Sequence, residues 1–249
     1  MPQTLEGRVA LVTGGTRNIG RAVALGLAEQ GADVAIVATH HGQAMSDTLA
    51  DIRALGRQGL GLVADIADPE KVEGAVARVG EHFGRLDTLV CCAAIRPHKP
   101  FAELTVEDWR QVMAVNLDGP FLVAKASLPL LLDSDQAAII TFGGVSAHLG
   151  ATERANVIAS KMGVVGLTRA LAVEYGEQGV TANCIVPGQI DTERPAGSPP
   201  PRLAAGKGPL VRRFGRPDEV AAMVCHLAGP MGRYSTGQTF HLNGGSYLG

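Results

Sequence analysis

The sequence predicts a doubly wound α/β protein: one domain built on a parallel sheet of about seven strands, with helices against both faces. Two observations carry this expectation. Short apolar runs alternate with longer amphipathic stretches along the whole chain, and the first apolar run ends in a Gly-rich turn from which helical periodicity resumes. That is the βαβ rhythm of parallel strands joined by crossover helices.

In the opening stretch, Val9, Leu11 and Val12 read as a buried parallel strand. Gly14 and Gly15 permit a sharp turn and close approach of a bound group, and Gly20 lets the next helix lie against the strand. The N–H groups at that helix start, aided by its dipole, suit an anion such as a dinucleotide pyrophosphate. A tight corner with no ligand would use the same glycines. Strands are expected at 8–13, 33–38, 59–64, 86–92, 137–142, 180–185 and 238–242, with helices between them. One stretch breaks the rhythm. Residues 191–217 crowd Pro, Gly and basic side chains between the sixth strand and the last helix, where a substrate lid is expected rather than a linker.

At 46% hydrophobic and 18% charged, the 249 residues suit one large domain spanning 1–249. A formal charge of -2 gives no reason to expect nucleic acid or an anionic membrane as partner. No apolar run reaches membrane-spanning length and the start MPQTLEGR lacks a signal-peptide layout, so a cytoplasmic location is expected. Cys91, Cys92, Cys184 and Cys225 contain no CxxC pair and read as small buried hydrophobes, not as disulfide or metal ligands.

TGGTRNIG after the first strand, Asp65-Ile66 after the third, Asn116 in the fourth helix, Ser160-Lys161 opening a long helix, and Pro187 through Thr192 after the sixth strand together resemble the short-chain dehydrogenase/reductase family. The resemblance runs over nearly the whole chain. It implies a single Rossmann-type domain with strand order 3-2-1-4-5-6-7, and a homotetramer or homodimer.

By that resemblance, Gly14, Arg17, Ile19 and Gly20 surround the pyrophosphate and adenosine ribose, and Asp65 and Ile66 flank the adenine. Pro187, Gly188, Ile190 and Thr192 lie by the nicotinamide, whose ribose hydroxyls Lys161 reaches. Asn18 stands at the family's central glycine of the turn, which Asn tolerates because it accepts left-handed backbone angles. Cys91-Cys92-Ala93-Ala94 replaces the family's Asn-Asn-Ala-Gly, so the support there is rebuilt while Ala93 keeps its place in the cofactor set. After the second strand, Thr39 and His40 stand where an acid would bond the ribose 2′-hydroxyl of NAD. With no carboxylate there and Arg17 available for a phosphate, NADP(H) is expected over NAD(H). Arg17 also reads as an ordinary turn residue.

The catalytic half departs from the family. Its tyrosine, four residues before the lysine, falls at Val157, and its serine falls at Gly144. General acid–base help is worth about 10²–10⁴ in rate, and neither side chain supplies it. Ser146 lies two residues past Gly144, whereas Tyr175 lies roughly 20 Å beyond Lys161 along a helix and cannot join it. His148, Glu153, Arg154 and Asn156 lie between the fifth strand and Lys161, and Arg96 and His98 follow the fourth strand. The spacing puts Arg154, Val157 and Lys161 on one helical face.

The candidate catalytic groups are therefore Asn116, His148, Arg154 and Lys161. His148 leads as acid–base group, with a rim or subunit contact as its alternative. Arg154 suits an oxyanion or carboxylate. Asn116 reads as a relay, as a helix-kinking amide, or as both. Three functions stay open: an NADP-dependent oxidoreductase acting on a carbonyl, imine or enone; a nucleotide-binding sensor without turnover; and a non-redox isomerase or lyase with His148 or Glu153 as base. If the basic groups converge, the small-molecule substrate is acidic or phenolic. Val115, Leu117, Phe121, Val164, Val165 and Leu167 form apolar stripes that read either as a subunit interface or as core.

Overall fold

The computed structural model describes residues 4–193 and 208–249. Seven strands form one sheet: β1 Val9–Thr13, β2 Asp33–Ala38, β3 Gly59–Val63, β4 Thr88–Cys91, β5 Ala138–Phe142, β6 Thr181–Pro187 and β7 Thr239–Leu242. Every pairing is parallel and the order is β3-β2-β1-β4-β5-β6-β7, as the family resemblance implies. The helices are α1 Asn18–Glu29, α2 Gln43–Ala54, α3 Pro69–Phe83, α4 Val106–Met113, α5 Gly119–Leu132, α6 Val145–Leu149, α7 Ala155–Tyr175 and α8 Pro217–Ala228. A π-helical turn, Ala114–Asp118, joins α4 to α5.

Alternation along each strand sorts the core into two layers. Val12, Ile36, Val90, Ile140 and Ile185 point to one face and pack with Val23 and Leu27 of α1, Ile52 of α2 and Val220 and Val224 of α8. Leu11, Val37, Leu89, Ile139 and Ala182 point to the other and pack with Val76 and Val79 of α3 and Val123 and Leu131 of α5. Both faces are covered, which is why the strands read as continuous apolar runs. Sequence also marks helix ends. The Asp68 carboxylate accepts from Lys71 N at 3.3 Å ahead of Pro69, Gly84 closes α3 at φ 73°, and Thr105 and Asp108 make a reciprocal capping box on α4.

Of the apolar stripes, Val164 and Val165 are buried within the chain while Phe121 is 46% exposed, so these residues divide between core and surface. The continuous helices Val106–Leu132 and Ala155–Gln178 are long and apolar enough by composition to cross a bilayer, which the separate apolar runs did not suggest. The π turn fuses α4 to α5. Both helices carry internal charges, Asp118 and Lys125 in one and Lys161 and Arg169 in the other, and both lie on the sheet. Of the expected lid, residues 194–207 lie outside the described residues. Of its far shoulder, Val211 N donates to Gly244 O at 3.2 Å, and Gly215 bridges Ile190.

At the N-terminal end of β4, one carboxylate gathers donors from four residues. Asp87 is 1% exposed and accepts from Val9 N at 2.8 Å, Ser134 Oγ at 2.6 Å, Arg85 Nη2 at 2.7 Å and Arg8 Nη1 at 3.2 Å. Burial pushes its carboxyl up, but Arg85, Ser134 and the Val9 amide outweigh this and hold it below the usual range. Because the folded pKa is depressed, this contribution is present above the unfolded carboxylate range and is lost as pH falls through the folded value. Asp87→Asn keeps the shape and removes the charge. It is expected to lower stability by about 2–4 kcal/mol in denaturant titrations at neutral pH, with the gap from wild type narrowing in acid.

Candidate active site

After the paired C-terminal ends of β1 and β4 the chain leaves to opposite faces of the sheet, α1 packing on one and α5 on the other, which opens a crevice at the switch point. Gly14, at φ 69°, donates its N–H to Val37 O at 2.8 Å, and a Cβ there would lie 2.9 Å from Ala93 Cα. Gly20 is tighter still: its Cβ would stand 2.1 Å from Gly14 O, so α1 approaches the turn only without a side chain. Asn18 adopts φ 51°, the left-handed region expected of it as a residue standing at a glycine position. Its amide pairs with the segment after β6, Oδ1 accepting from Glu193 N at 2.8 Å and Nδ2 donating to Glu193 O at 3.4 Å. No side chain among the described residues caps α1, so its first-turn N–H groups are left for an anion. Ile19 begins the packing of α1 on the core.

The adenosine end is open. Arg17, Thr39 and His40 are exposed, Thr39 Oγ1 lying 3.2 Å from His40 Nδ1, while Arg21 is engaged by Asp51. Asp65 folds its own loop by accepting from Ala67 N at 3.0 Å, and Ile66 is buried where a Cβ on Gly119 would meet it at 2.7 Å. A groove of about 1060 Å³ starts beside the turn at Arg17 and Asn18 and runs between α1 and α8, past Gly26 and Cys225 to Met231. At the end expected to face the nicotinamide, Pro187 finishes β6, and Gly188 donates to Leu242 O at 3.0 Å with no room for a Cβ against Asn243. Ile190 and Thr192 are half-buried on the following segment. These glycine-lined approaches and uncapped N–H groups fit a dinucleotide.

The rebuilt β4 end is held by a residue that the sequence analysis did not single out. Thr13 Oγ1 accepts from Cys92 N at 3.1 Å and Ala93 N at 3.2 Å. The one signal was a hydroxyl closing an apolar strand. The π turn buries Asn116, whose Oδ1 accepts from Ile95 N at 2.9 Å and whose Nδ2 donates to Ile95 O at 2.9 Å and Ser160 Oγ at 3.2 Å. The kinking and bonding roles of this amide coexist, and Ser160 joins it by donating to Val157 O at 2.8 Å.

Lys161 is 6% exposed and donates to Phe142 O at 2.7 Å. Burial pulls its ammonium down to about 8, opposed by the thiols of Cys92 and Cys184 and reinforced by Arg96. Val157 is buried one turn before it, and a Cβ on Gly144 would meet nothing nearer than Lys161 Cγ at 4.0 Å. Gly144, Val157 and Lys161 therefore converge, with space over the lysine stem.

One expectation changes. Arg154 is not on the helical face of Lys161: its backbone, at φ -138° and ψ 26°, caps α7 from outside, after Glu153 at φ 61°. Helical spacing does not govern a residue outside the helix. Its half-buried guanidinium instead meets the His98 ring, and Lys99 N donates to Glu153 O at 2.9 Å, which ties the two loops together. Burial and nearby Arg96 lower the Arg154 pKa. His148 packs on β7 and the C-terminal tail, 4.5 Å from the His241 ring and 5.3 Å from Tyr247. Its Nε2 is buried with no partner among the described residues, and burial, with Arg169, lowers its pKa. Tyr175 ends α7, in the helix that also holds Lys161, and the helical rise separates them as expected.

A family model described as enoyl-(acyl carrier protein) reductase matches residues 14–247. The chain is 38% identical to the 3-oxoacyl-[acyl-carrier-protein] reductase FabG of Vibrio cholerae over 245 residues, covering 98% of this chain and 99% of that one. It is 35% identical to the Escherichia coli FabG over 246 residues, covering 98% of each. Among solved structures, a short-chain dehydrogenase of Burkholderia cenocepacia in complex with NADP superposes with a TM-score of 0.90 at 35% identity, covering 98% of this chain and 99% of that one. A metagenomic blue fluorescent protein in complex with NADPH gives 0.90 at 34% identity, with 98% and 100% covered. The chain belongs to the short-chain dehydrogenase/reductase family.

Proposed function

We propose that the protein is a cytoplasmic, NADP(H)-dependent oxidoreductase that reduces a small anionic or phenolic carbonyl, imine or enone compound without the family's tyrosine and serine. The observation that carries this reading is the buried Lys161, held on Phe142 O next to Ser160, which bonds Asn116, in a chain where Pro187, Gly188, Ile190 and Thr192 are half-buried after β6. A sensor that only bound the adenosine half would have no use for a partly deprotonatable amine at the nicotinamide end.

When bound, the reduced nicotinamide supplies a hydride. The chain's own groups do the rest. The α1 N-terminus and Gly14 hold the pyrophosphate, Arg17 with Thr39 and His40, none of them a carboxylate, takes a 2′-phosphate, and Gly188, Ile190 and Thr192 bound the nicotinamide. Arg154 and Arg96 bring positive charge to the mouth, and buried Val157 keeps water from the reacting end. Exposed Phe101, Val106, Trp109 and Phe121 on and before α4 and α5 support a homo-oligomer, a dimer or tetramer.

Fluorescence titration is expected to give a Kd at least tenfold lower for NADPH than for NADH, and Arg17→Ala should remove most of that difference. Equal constants in the wild type would remove the coenzyme assignment. Arg154→Ala should raise KM for a carboxylate-bearing substrate by about 10- to 100-fold, the loss of one charge-assisted bond, with NADPH binding nearly unchanged. An unchanged KM would release Arg154 from substrate binding. The parent test follows reduced-nicotinamide absorbance with ketones, imines and enones. Tight binding without consumption would establish a sensor, and product formed without coenzyme change would establish a non-redox enzyme.

A further inference from the structure

We infer that Asn18 is a positioning residue: its carboxamide clasps the backbone of Glu193 and thereby holds Thr192 at the nicotinamide half of the coenzyme. The role rests on the oxidoreductase reading, which places Thr192 there. A glycine at this point of the turn has no side chain to offer. Here Oδ1 accepts from Glu193 N at 2.8 Å while Nδ2 donates to Glu193 O at 3.4 Å, so one carboxamide engages both backbone polar groups of a residue 175 positions away. The φ of 51° that this requires falls to a residue type that tolerates it.

The two ends of the clasp are held by different means. Asn18 is the first residue of α1, which the approach of Gly20 to Gly14 O sets against its turn. The stretch after β6 is tied in steps. Gly188 N donates to Leu242 O at 3.0 Å, Gly215 N donates to Gln189 O at 2.9 Å, and Asp191 N donates to Gly215 O at 2.8 Å. Beyond Asp191, among the described residues, this backbone has the carboxamide of Asn18 as its remaining partner. Thr192 lies between the tie at Asp191 and the tie at Glu193, each one residue and about 3.8 Å of Cα spacing away, so the pair of ties fixes where its half-buried side chain stands. Asn18, Thr192 and Glu193 all line the groove that starts at the turn, and the uncapped N–H groups of α1 open at the same corner. With the clasp made, the helix start that takes the pyrophosphate and the segment that bounds the nicotinamide keep one spacing. A dinucleotide that reaches both is retained longer than a ligand that reaches the adenosine end alone.

Asn18→Gly removes the clasp and keeps the turn, since glycine adopts a φ of 51° freely. Asn18→Asp keeps the acceptor oxygen and also tolerates the angle. In the free protein, site-resolved hydrogen exchange should show the Glu193 amide exchanging about fivefold faster in Asn18→Gly than in wild type, with Asn18→Asp keeping the protection. Stopped-flow displacement of NADPH should give an off-rate about tenfold higher in Asn18→Gly, the effect of one to two net hydrogen bonds. Adenosine 2′,5′-bisphosphate carries the adenosine end and the 2′-phosphate but neither pyrophosphate nor nicotinamide, and its Kd should differ between wild type and Asn18→Gly by less than about twofold, well below one hydrogen bond's worth. That contrast separates positioning from damage to the turn, which would weaken both ligands. Glu193 exchanging alike in all three proteins, an unchanged NADPH off-rate in Asn18→Gly, or an equal loss for both ligands would overturn the proposal and leave the oxidoreductase reading standing. No binding of NADPH to the wild type would overturn both.

Discussion

The whole molecule turns on a clearance that only a hydrogen atom fills. With a Cβ on Gly20 projected to 2.1 Å from Gly14 O, α1 lies on its turn closer than any other residue would allow. That closeness sets the angle at which α1 crosses β1, and with it the fit of Val23 and Leu27 onto Val12 and Ile36. It also aims the uncapped helix start at the crevice. Gly14 repeats the constraint sideways against Ala93, so the same corner sets the spacing between the first and fourth strands at their C-terminal ends. Core and nucleotide site are two outcomes of one contact.

Such steric rules act one residue at a time, which is why this corner was legible in the sequence. The strands were legible for a related reason, since burial on both faces leaves unbroken apolar runs whose limits shift by a residue or two at most. The left-handed angle of Asn18 followed from its residue type. Its pairing with Glu193, 175 positions away, did not, because the hydrogen bond depends on where a loop returns rather than on any local pattern. Thr13 escaped notice for the same reason: its hydroxyl matters because two amides from another strand end reach it.

The reacting end was less legible. Helical spacing was extended one residue too far, to Arg154, where the backbone has already left the helix. Sequence proximity could not show that α6 packs His148 against His241 of β7, a contact between residues far apart in the chain. The π turn has no periodic signature in five residues, yet it buries Asn116 and orients Ile95. What the residues did state directly is their own identity, Val157 and Gly144, next to a lysine that the fold buries.

The carboxylate of Asp87 sits at the opposite rim of β4 from Cys91 and the crevice. The strand thus separates foundation from workbench: an ionic knot at one end ties β1, the start of β4 and the loop ahead of β5, while the chemistry occupies the other. Exchanging a polar group at the working rim leaves that knot intact. A scaffold arranged in this way can have its reactive side chains rewritten without being rebuilt.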